Sequence, residues 1–149
     1  MNLLQQEILV KVKKLHPNAK VPQYMTAGAA AVDLYATEVK LEQLYVEYKT
    51  GLAFEIPEGH VGLIYPRSSI SSQTTLMLSN CVGVIDSDYV GEITFRFRPL
   101  YLDGNKIYKV GDRIGQLLIQ QIPRMNIVEV DELKDTERGA LGYGSTGSK

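Results

Sequence analysis

An arginine and two hydroxyl groups follow a strand-like stretch near the middle of the chain, in the order Pro66-Arg67-Ser68-Ser69. Arginine offers a planar fork of donors that fits a phosphate or a carboxylate, and free N–H groups at a helix start favour an anion. The segment therefore predicts contact with an anionic group. A helix cap with a structural salt bridge is the alternative interpretation of the same residues.

Two carboxylates and a tyrosine lie in a later turn, Asp86-Ser-Asp88-Tyr89, between apolar stretches that predict a β-hairpin. A hairpin needs only one pair of turn residues, so this segment is richer in polar groups than the architecture requires. A carboxylate here could act as a general base, and the ring could stack on a sugar or base. A plain turn is the alternative.

Asp33 follows a run of small residues at a predicted strand start, where its carboxylate could hold a metal-bound water or form an Asp turn. A second polar turn, GDRIGQ at residues 111–116, enters another predicted strand. Its adjacent Asp112 and Arg113 predict a structural ion pair, and Gln116 could donate to a ligand oxygen.

The segment ERGALGYGSTGSK at residues 137–149 contains four glycines and no aliphatic side chain after Leu141. It is not a P-loop, because Ser148 stands where that motif needs lysine directly after the last glycine. Two interpretations are open. The segment is either a fraying terminus or a strap whose glycine N–H groups reach a phosphate ligand.

Short apolar–polar alternations of period two dominate the chain and predict strands. Their spacing favours a sandwich or barrel, with at most a short helix at residues 69–76 or near the N-terminus. Asp103-Gly104 predicts a hairpin turn. The predicted strands lie at residues 8–13, 51–56, 61–65, 93–98, 106–110, 116–120 and 126–130.

The composition indicates one globular domain of 149 residues, with 44% hydrophobic and 22% charged residues. A net charge of -1 gives no general attraction to nucleic acid or lipid, so we expect neither a nucleic-acid nor a membrane partner. No apolar run approaches the ~20 residues of a membrane span, and the N-terminal residues lack a signal peptide pattern. We therefore expect a cytoplasmic protein, or a host-cytoplasmic one if it is viral or phage-encoded.

The single cysteine and the two histidines exclude several kinds of site. Cys81 alone permits no internal disulfide and no cysteine zinc site, and we expect it to be a small buried residue. His16 and His60 are distant in sequence and lack a ligand pattern, which leaves a zinc site or a Ser-His-Asp triad without support.

Taken together, in this order and at these intervals, the five polar segments resemble the five motifs of the homotrimeric dUTP diphosphatases. The strongest matches are GVIDSDYVGEI, GDRIGQLLI, PRS and RGALGYGSTG, and the resemblance runs from about Val21 to Gly147. It implies an all-β fold of the β-clip type, a jelly-roll-like distorted barrel, in a homotrimer with active sites at subunit interfaces. Residues 1–137 would form this domain and residues 138–149 a flexible C-terminal lid.

The resemblance also implies the reaction, which is hydrolysis of dUTP to dUMP and diphosphate with Mg²⁺ on the triphosphate. This reaction lowers dUTP and supplies the thymidylate precursor. Asp86 would orient the attacking water, and Asp33 would hold Mg²⁺ through water. The phosphates would be held by Arg67, Ser68, Ser69 and Gln116.

The remaining substrate contacts implied by the resemblance come from two segments. The nucleoside would meet Asn80, Val84 and Ile85 at the uracil edge and Tyr89 under the deoxyribose. From the tail, the contacting residues would be Arg138, Tyr143, Gly144, Ser145 and Thr146.

Four positions depart from the family pattern. Ser69 stands where glycine is usual, and its N–H could still serve if its φ is negative; Leu141 replaces one glycine of a pair. Tyr143 replaces the usual phenylalanine, and Gly115 replaces the usual alanine, which we expect to be a minor change.

Two alternative functions stay open. One is a dCTP deaminase-like enzyme of the same fold superfamily, although that reaction needs a general acid/base glutamate and the hairpin with Asp86 is of the uridine type. The other is a nucleotide-gated regulatory binding protein of the phage type, for which the sequence shows no additional insert or charged patch.

Overall fold

The computed structural model describes residues 7–100 and 106–140. Within these ranges the chain forms nine strands and one short helix, which confirms the predicted all-β class. In chain order they are β1 Lys11–Lys14, β2 Val32–Tyr35, β3 Glu38–Leu41, β4 Val46–Glu55, β5 His60–Tyr65, α1 Ile70–Gln73, β6 Leu76–Leu78, β7 Gly83–Ile85, β8 Glu92–Pro99 and β9 Arg113–Gln121.

The first sheet is antiparallel and is built around β4, which at ten residues is long enough to pair with three strands. The order is β1-β4-β8-β6, and β3 also pairs with β4. β3 pairs with the first part of β4 and β1 with its last part. The irregular register between β4 and β8 falls at residues 49–53, around Gly51 with its positive φ of 66°.

The second sheet is also antiparallel, with the order β2-β9-β5-β7. Gln116 of β9 lies opposite Asp33 on one side and opposite Tyr65 on the other. Because side chains on paired residues of neighbouring strands point to the same face, these three residues form one row across the sheet.

The hydrophobic core draws on both sheets. Leu34, Ile64 and Leu117 come from the second sheet, and aromatic rings dominate the contribution of the first. The rings of Phe95 and Phe97 stack with centroids 5.9 Å apart. Burial of this many large side chains explains how one chain of this size holds two sheets together without a disulfide.

Most of the sequence predictions for individual elements are confirmed. Strands β5, β8 and β9 cover the predicted segments at 61–65, 93–98 and 116–120, β4 covers all but the last residue of the segment at 51–56, and α1 falls within residues 69–76. β1 covers only the end of the segment predicted at 8–13. Asp103-Gly104 lies outside the described residues.

Two predicted strands are wrong. Residues 106–109 and 122–130 belong to no strand. The first segment turns inward at Tyr108, which is 5% exposed, and the neighbouring Ile107 packs half-buried against the core. The second is exposed throughout, because its alternating apolar residues find no partner strand within the described part of this chain.

The predicted hairpin around Asp86 is also wrong. β7 pairs with β5 in the second sheet, whereas β8 pairs with β4 and β6 in the first. Residues 86–91 therefore carry the chain from one sheet to the other. Turn residues identify where a strand ends, but they do not reveal which strand becomes its neighbour.

Cys81 is exposed, which corrects the expectation of a buried cysteine. It lies in the turn between β6 and β7 with a φ of 61°, where its N–H donates to the carbonyl of Leu78 at 3.2 Å. The described part of the chain contains no helix that could span a lipid bilayer.

Candidate active site

Asp33 is the centre of a charged cluster on the second sheet. Its Oδ2 accepts a hydrogen bond from Nη1 of Arg113 at 3.0 Å, and Nε of Arg67 lies 3.5 Å from its Oδ1. The Asp33 side chain is only 15% exposed. Gln116 lies opposite Asp33 in the sheet and donates from Nε2 to the carbonyl of Pro66 at 3.1 Å.

The predicted ion pair between Asp112 and Arg113 is wrong, because the two side chains serve different partners. Oδ2 of Asp112 accepts the backbone N–H of Lys109 at 2.7 Å, which closes a turn containing Gly111 with a φ of 91°. Arg113 instead pairs with Asp33. The adjacent opposite charges were therefore no guide to the contact that forms.

A β-bulge explains how Arg113 reaches Asp33. Strict alternation along β9 would put Ile114 on the same face as Gln116, and Arg113 on the opposite face. The register of β2 against β9 shifts by one residue at this point, and Ile114 is 0% exposed in the core. A bulge re-aims the side chains beyond it, so Arg113 shares the face of Asp33.

Arg67, Ser68 and Ser69 connect β5 to α1 beside this cluster. Ser69 is the N-cap residue of α1, and its φ is -75°. This negative φ is the conformation in which we expected the Ser69 N–H to remain usable although serine replaces the usual glycine. Its Oγ is buried and has no hydrogen-bond partner among the described residues. The N–H of Ile70 donates to the carbonyl of Arg67 at 3.0 Å, which ties the arginine to the first turn.

Asp86 and Tyr89 lie at the two ends of a tight turn after β7. The N–H of Tyr89 donates to the carbonyl of Asp86 at 3.1 Å, and the carboxylate of Asp86 lies at an exposed position. The Tyr89 hydroxyl donates to the carbonyl of Glu92 at 3.1 Å. Its ring lies over Gly91, where an added Cβ would be 2.5 Å from that hydroxyl oxygen. Glycine is thus needed for the ring to lie flat, 46% exposed.

The other predicted nucleoside contacts flank this turn. Asn80 and Val84 are exposed, and Ile85 is half-buried. Gly83 packs tightly on Ile64, where an added Cβ would lie 2.7 Å from Cδ1. The backbone of β7 is therefore accessible between the side chain of Asn80 and the exposed ring of Tyr89.

Within one chain, the charged cluster around Asp33 and the turn that carries Asp86 and Tyr89 lie far apart. Asp33 is level with Tyr65 of β5, whereas Asp86 follows Ile85, which is level with Gly62. At about 3.4 Å per residue and about 4.8 Å per strand, Asp86 and Asp33 are about 20 Å apart. A single ligand therefore bridges them only if the two groups come from different chains.

The tail residues can be placed only in part. Arg138 lies in an exposed turn at residues 137–140, where the Gly139 N–H donates to the carbonyl of Thr136 at 3.0 Å. Tyr143, Gly144, Ser145 and Thr146 lie outside the described residues, as does Leu141.

The donor set around Asp33 fits an outer-sphere role toward a cation. Among the described residues, no three His, Cys, Asp or Glu side chains converge on a metal position. Both oxygens of Asp33 already face guanidinium groups. A cation held here would be coordinated directly by water and by oxygen atoms of the bound small molecule. Asp33 would contact the cation through a water molecule.

The comparisons with known proteins point to one family. The family model described as dUTPase matches residues 17–147. The chain belongs to the dUTPase family. The deoxyuridine 5'-triphosphate nucleotidohydrolase of Nautilia profundicola is 40% identical over 144 residues, covering 93% of this chain and 98% of that protein. The protein of the same name from Corynebacterium glutamicum is 40% identical over 142 residues, covering 93% and 94%.

Solved dUTPase structures share the fold. A variant of the Staphylococcus bacteriophage 80alpha dUTPase with dUpNHpp superposes with a TM-score of 0.80 at 30% identity, covering 93% of this chain and 98% of that one. A variant of the phage phi11 dUTPase, described as revealing the coordination of a structural Mg(II) ion, gives 0.70 at 27% identity, covering 84% and 98%. The expected dUTPase β-fold is thereby confirmed.

Sequence reasoning missed the part played by Arg113 in this dUTPase-family site. A signal was present, because strict alternation would have put apolar Ile114 and polar Gln116 on one face. Such a conflict between neighbours on a predicted strand indicates a bulge.

Proposed function

We propose that this chain hydrolyses dUTP to dUMP and diphosphate, which lowers dUTP and supplies the thymidylate precursor. One observation carries the proposal. A dUTPase-family chain presents a cationic cluster around Asp33 and, separately, the Asp86–Tyr89 turn with its exposed carboxylate and ring. The first suits a polyphosphate and the second a nucleoside with its attacking water. The reaction takes place in the cytoplasm, which is the cytoplasm of the host cell if the chain is encoded by a virus or phage.

Asp86 is the general base in this proposal. Its exposed carboxylate orients a water for in-line attack at the α-phosphorus, a step in which a positioned base contributes roughly 10²–10⁴ in rate. Tyr89 lies under the deoxyribose, where its ring leaves no space for a 2'-hydroxyl. Asn80, Val84 and Ile85 face the uracil edge, and a wrong edge would leave buried polar groups unpaired.

The phosphates are bound by the segment after β5. Arg67 supplies a bidentate guanidinium, Ser68 and Ser69 supply hydroxyl and N–H donors, and Gln116 donates from the neighbouring strand. When bound, Mg²⁺ would supply positive charge that offsets the negative charge of the triphosphate. Asp33 would hold the ion through water.

The working enzyme is a homotrimer with sites between subunits. The separation of about 20 Å between Asp86 and Asp33 within one chain supports this arrangement. The exposed apolar segment at residues 122–133 also supports it, since a contiguous exposed apolar surface indicates an interface. Its exposed members are Ile122, Met125, Ile127, Val128, Val130 and Leu133.

Residues 1–137 form the catalytic domain in this proposal, and residues 138–149 form a lid over bound nucleotide. Arg138 meets the terminal phosphate, and Tyr143 stacks on uracil. The backbone and hydroxyl groups of Gly144, Ser145 and Thr146 donate to the phosphates. No observation favours the deaminase or regulatory alternatives over hydrolysis.

The experiment compares pyrophosphate release from dUTP, UTP and dCTP in the presence of Mg²⁺. We expect turnover of dUTP alone, a loss of roughly 10²–10⁴-fold in Asp86→Asn, and nearly full activity in the matched control Asp88→Asn from the same turn. Absence of dUTP turnover would overturn the proposal, and ammonia release from dCTP would identify the deaminase alternative instead.

A further inference from the structure

Two guanidinium groups share the carboxylate of Asp33, and they are not equivalent. Arg113 makes a hydrogen bond at 3.0 Å, whereas Nε of Arg67 lies 3.5 Å from the carboxylate, beyond the usual 2.7–3.2 Å range of N–H···O bonds. The tighter partner is fixed by the fold, and the looser one belongs to the phosphate-binding segment.

We propose that Arg113 is a positioning residue that anchors Asp33, so that Arg67 can leave Asp33 for the phosphates of the substrate. The inference rests on the proposed function and deepens it. Arg113 itself need not touch the substrate. Its task is to keep the carboxylate paired and oriented while the charges around it change.

The backbone supports this assignment. Arg113 reaches Asp33 only because the β-bulge at Ile114 reverses the alternation of β9. Bulges interrupt the ladder of hydrogen bonds and lie preferentially beside functional sites. The same irregularity places an apolar side chain in the core, so the contact between Arg113 and Asp33 is built into the strand.

Charge balance supplies the mechanism. In the free chain one carboxylate faces two cations, so one guanidinium is in excess and available to an anion. If Arg67 moves to a phosphate, Asp33 keeps a full counter-ion in Arg113. Without Arg113 the same movement would leave a mostly buried carboxylate with no direct counter-ion beside a triphosphate, and only the water-mediated Mg²⁺ of the proposed function would offset its charge, a costly arrangement. Arg67 would then stay on Asp33.

The test measures binding, separately from turnover. Isothermal titration with Mg²⁺ compares dUMP, which lacks the β- and γ-phosphates, with the analogue dUpNHpp, in wild-type protein and in Arg113→Gln. We expect the Kd for dUpNHpp to rise by about tenfold, as for the loss of one charge-assisted hydrogen bond, while the Kd for dUMP stays within about twofold.

Three further variants sharpen the result. Arg96→Gln is the matched control, because Arg96 also donates to a carboxylate, Glu47 at 2.7 Å, but on the first sheet. We expect Arg113→Lys to recover part of the lost affinity. In an Asp33→Asn background, Arg113→Gln should have little further effect, since no carboxylate then competes for Arg67.

The outcomes separate cleanly. Equal weakening of dUMP and dUpNHpp, or an unchanged affinity for dUpNHpp, would overturn the positioning role. If Arg113→Gln does not fold, Arg113→Lys provides the same comparison between the two ligands. Failure of the wild-type protein to bind either nucleotide would instead contradict the proposed function.

Discussion

Phe95 lies directly against Gly115, so that the strands carrying them approach closely in the core. A Cβ at position 115 would lie 2.5 Å from Cζ of Phe95 and 2.9 Å from the carbonyl oxygen of Tyr65. The Tyr65 oxygen belongs to a paired strand and cannot move freely. The replacement of the usual alanine by Gly115, which we expected to be minor, is therefore matched to a large aromatic neighbour.

Gly115→Ala is expected to lower the free energy of unfolding by about 1–3 kcal/mol, as for other overpacked cores. Urea denaturation measures the change. Gly28→Ala is the matched control, because nothing lies within 4 Å of a Cβ there. Equal stability of Gly115→Ala and Gly28→Ala would show that the contact with Phe95 is not restrictive.

Tyr48 and Tyr108 both have buried hydroxyl groups, but we expect removal of the two hydroxyls to affect the free energy of unfolding differently. The Tyr48 hydroxyl donates to the Tyr108 carbonyl at 3.1 Å, whereas the Tyr108 hydroxyl has no partner among the described residues. We expect Tyr48→Phe to lower the free energy of unfolding by about 1 kcal/mol, and Tyr108→Phe to leave it unchanged or raise it. Chemical denaturation of both variants checks this, and a larger loss in Tyr108→Phe would contradict it.

The same tyrosines predict the alkaline limit of stability. Burial raises the pKa of both Tyr48 and Tyr108 above the ordinary value of 10.0, and Arg67 partly offsets the effect at Tyr108. The unfolded chain then releases these protons near pH 10 while the folded chain retains them, so the stabilisation is complete below pH ~10 and lost above it.

Thermal melts between pH 8 and 11 measure this loss of stability at alkaline pH. We expect Tm to fall less steeply above pH ~10 in Tyr108→Phe than in the wild-type protein. Tyr24→Phe, at a position 65% exposed, is the surface control. Identical alkaline profiles for the wild-type and Tyr108→Phe proteins would refute the assignment.

Removal of the proposed lid should separate activity from stability. A chain ending at Thr136 keeps every strand of the described fold, so its Tm should remain close to that of the intact chain. Turnover of dUTP should fall by at least about tenfold, because the lid's phosphate and ring contacts are lost. Full activity in the shortened chain would remove the tail from the site.

The predictable part of the fold was its local periodicity. Alternation identified β5, β8 and β9 because their buried residues face one core. It failed for residues 126–130, where the same alternation has no partner strand in the described chain. Periodicity indicates which residues of a segment would be buried on one face. A strand also needs a neighbouring strand to pair with, and the periodicity of the segment does not show whether one is present.

The site shows the same division. The family resemblance assigned Arg67 and Gln116 to one group, and the register of three strands explains why they lie beside Asp33. The ion pair of Arg113 was missed because it depends on a one-residue irregularity in pairing. The separation of Asp86 from that group could not be inferred from spacing along the chain, because it depends on the order β2-β9-β5-β7, which puts β7 three strands away from β2. The roles of these residues stay predictions.

The most direct test of the account mixes two inactive variants. Asp86→Asn lacks the proposed base, and Arg67→Gln lacks the proposed phosphate ligand. The two chains are co-expressed with different tags, and trimers containing both are isolated by tandem affinity and verified by native mass spectrometry.

If each site takes Asp86 and Arg67 from different subunits, every isolated trimer that contains both variants has both groups at one of its three sites, which is about a third of the sites. The account predicts dUTP turnover near that fraction of the wild-type rate, with neither parent variant active alone. Mixed trimers that remain as inactive as the parents would place both residues in a site within one chain, and would contradict the account.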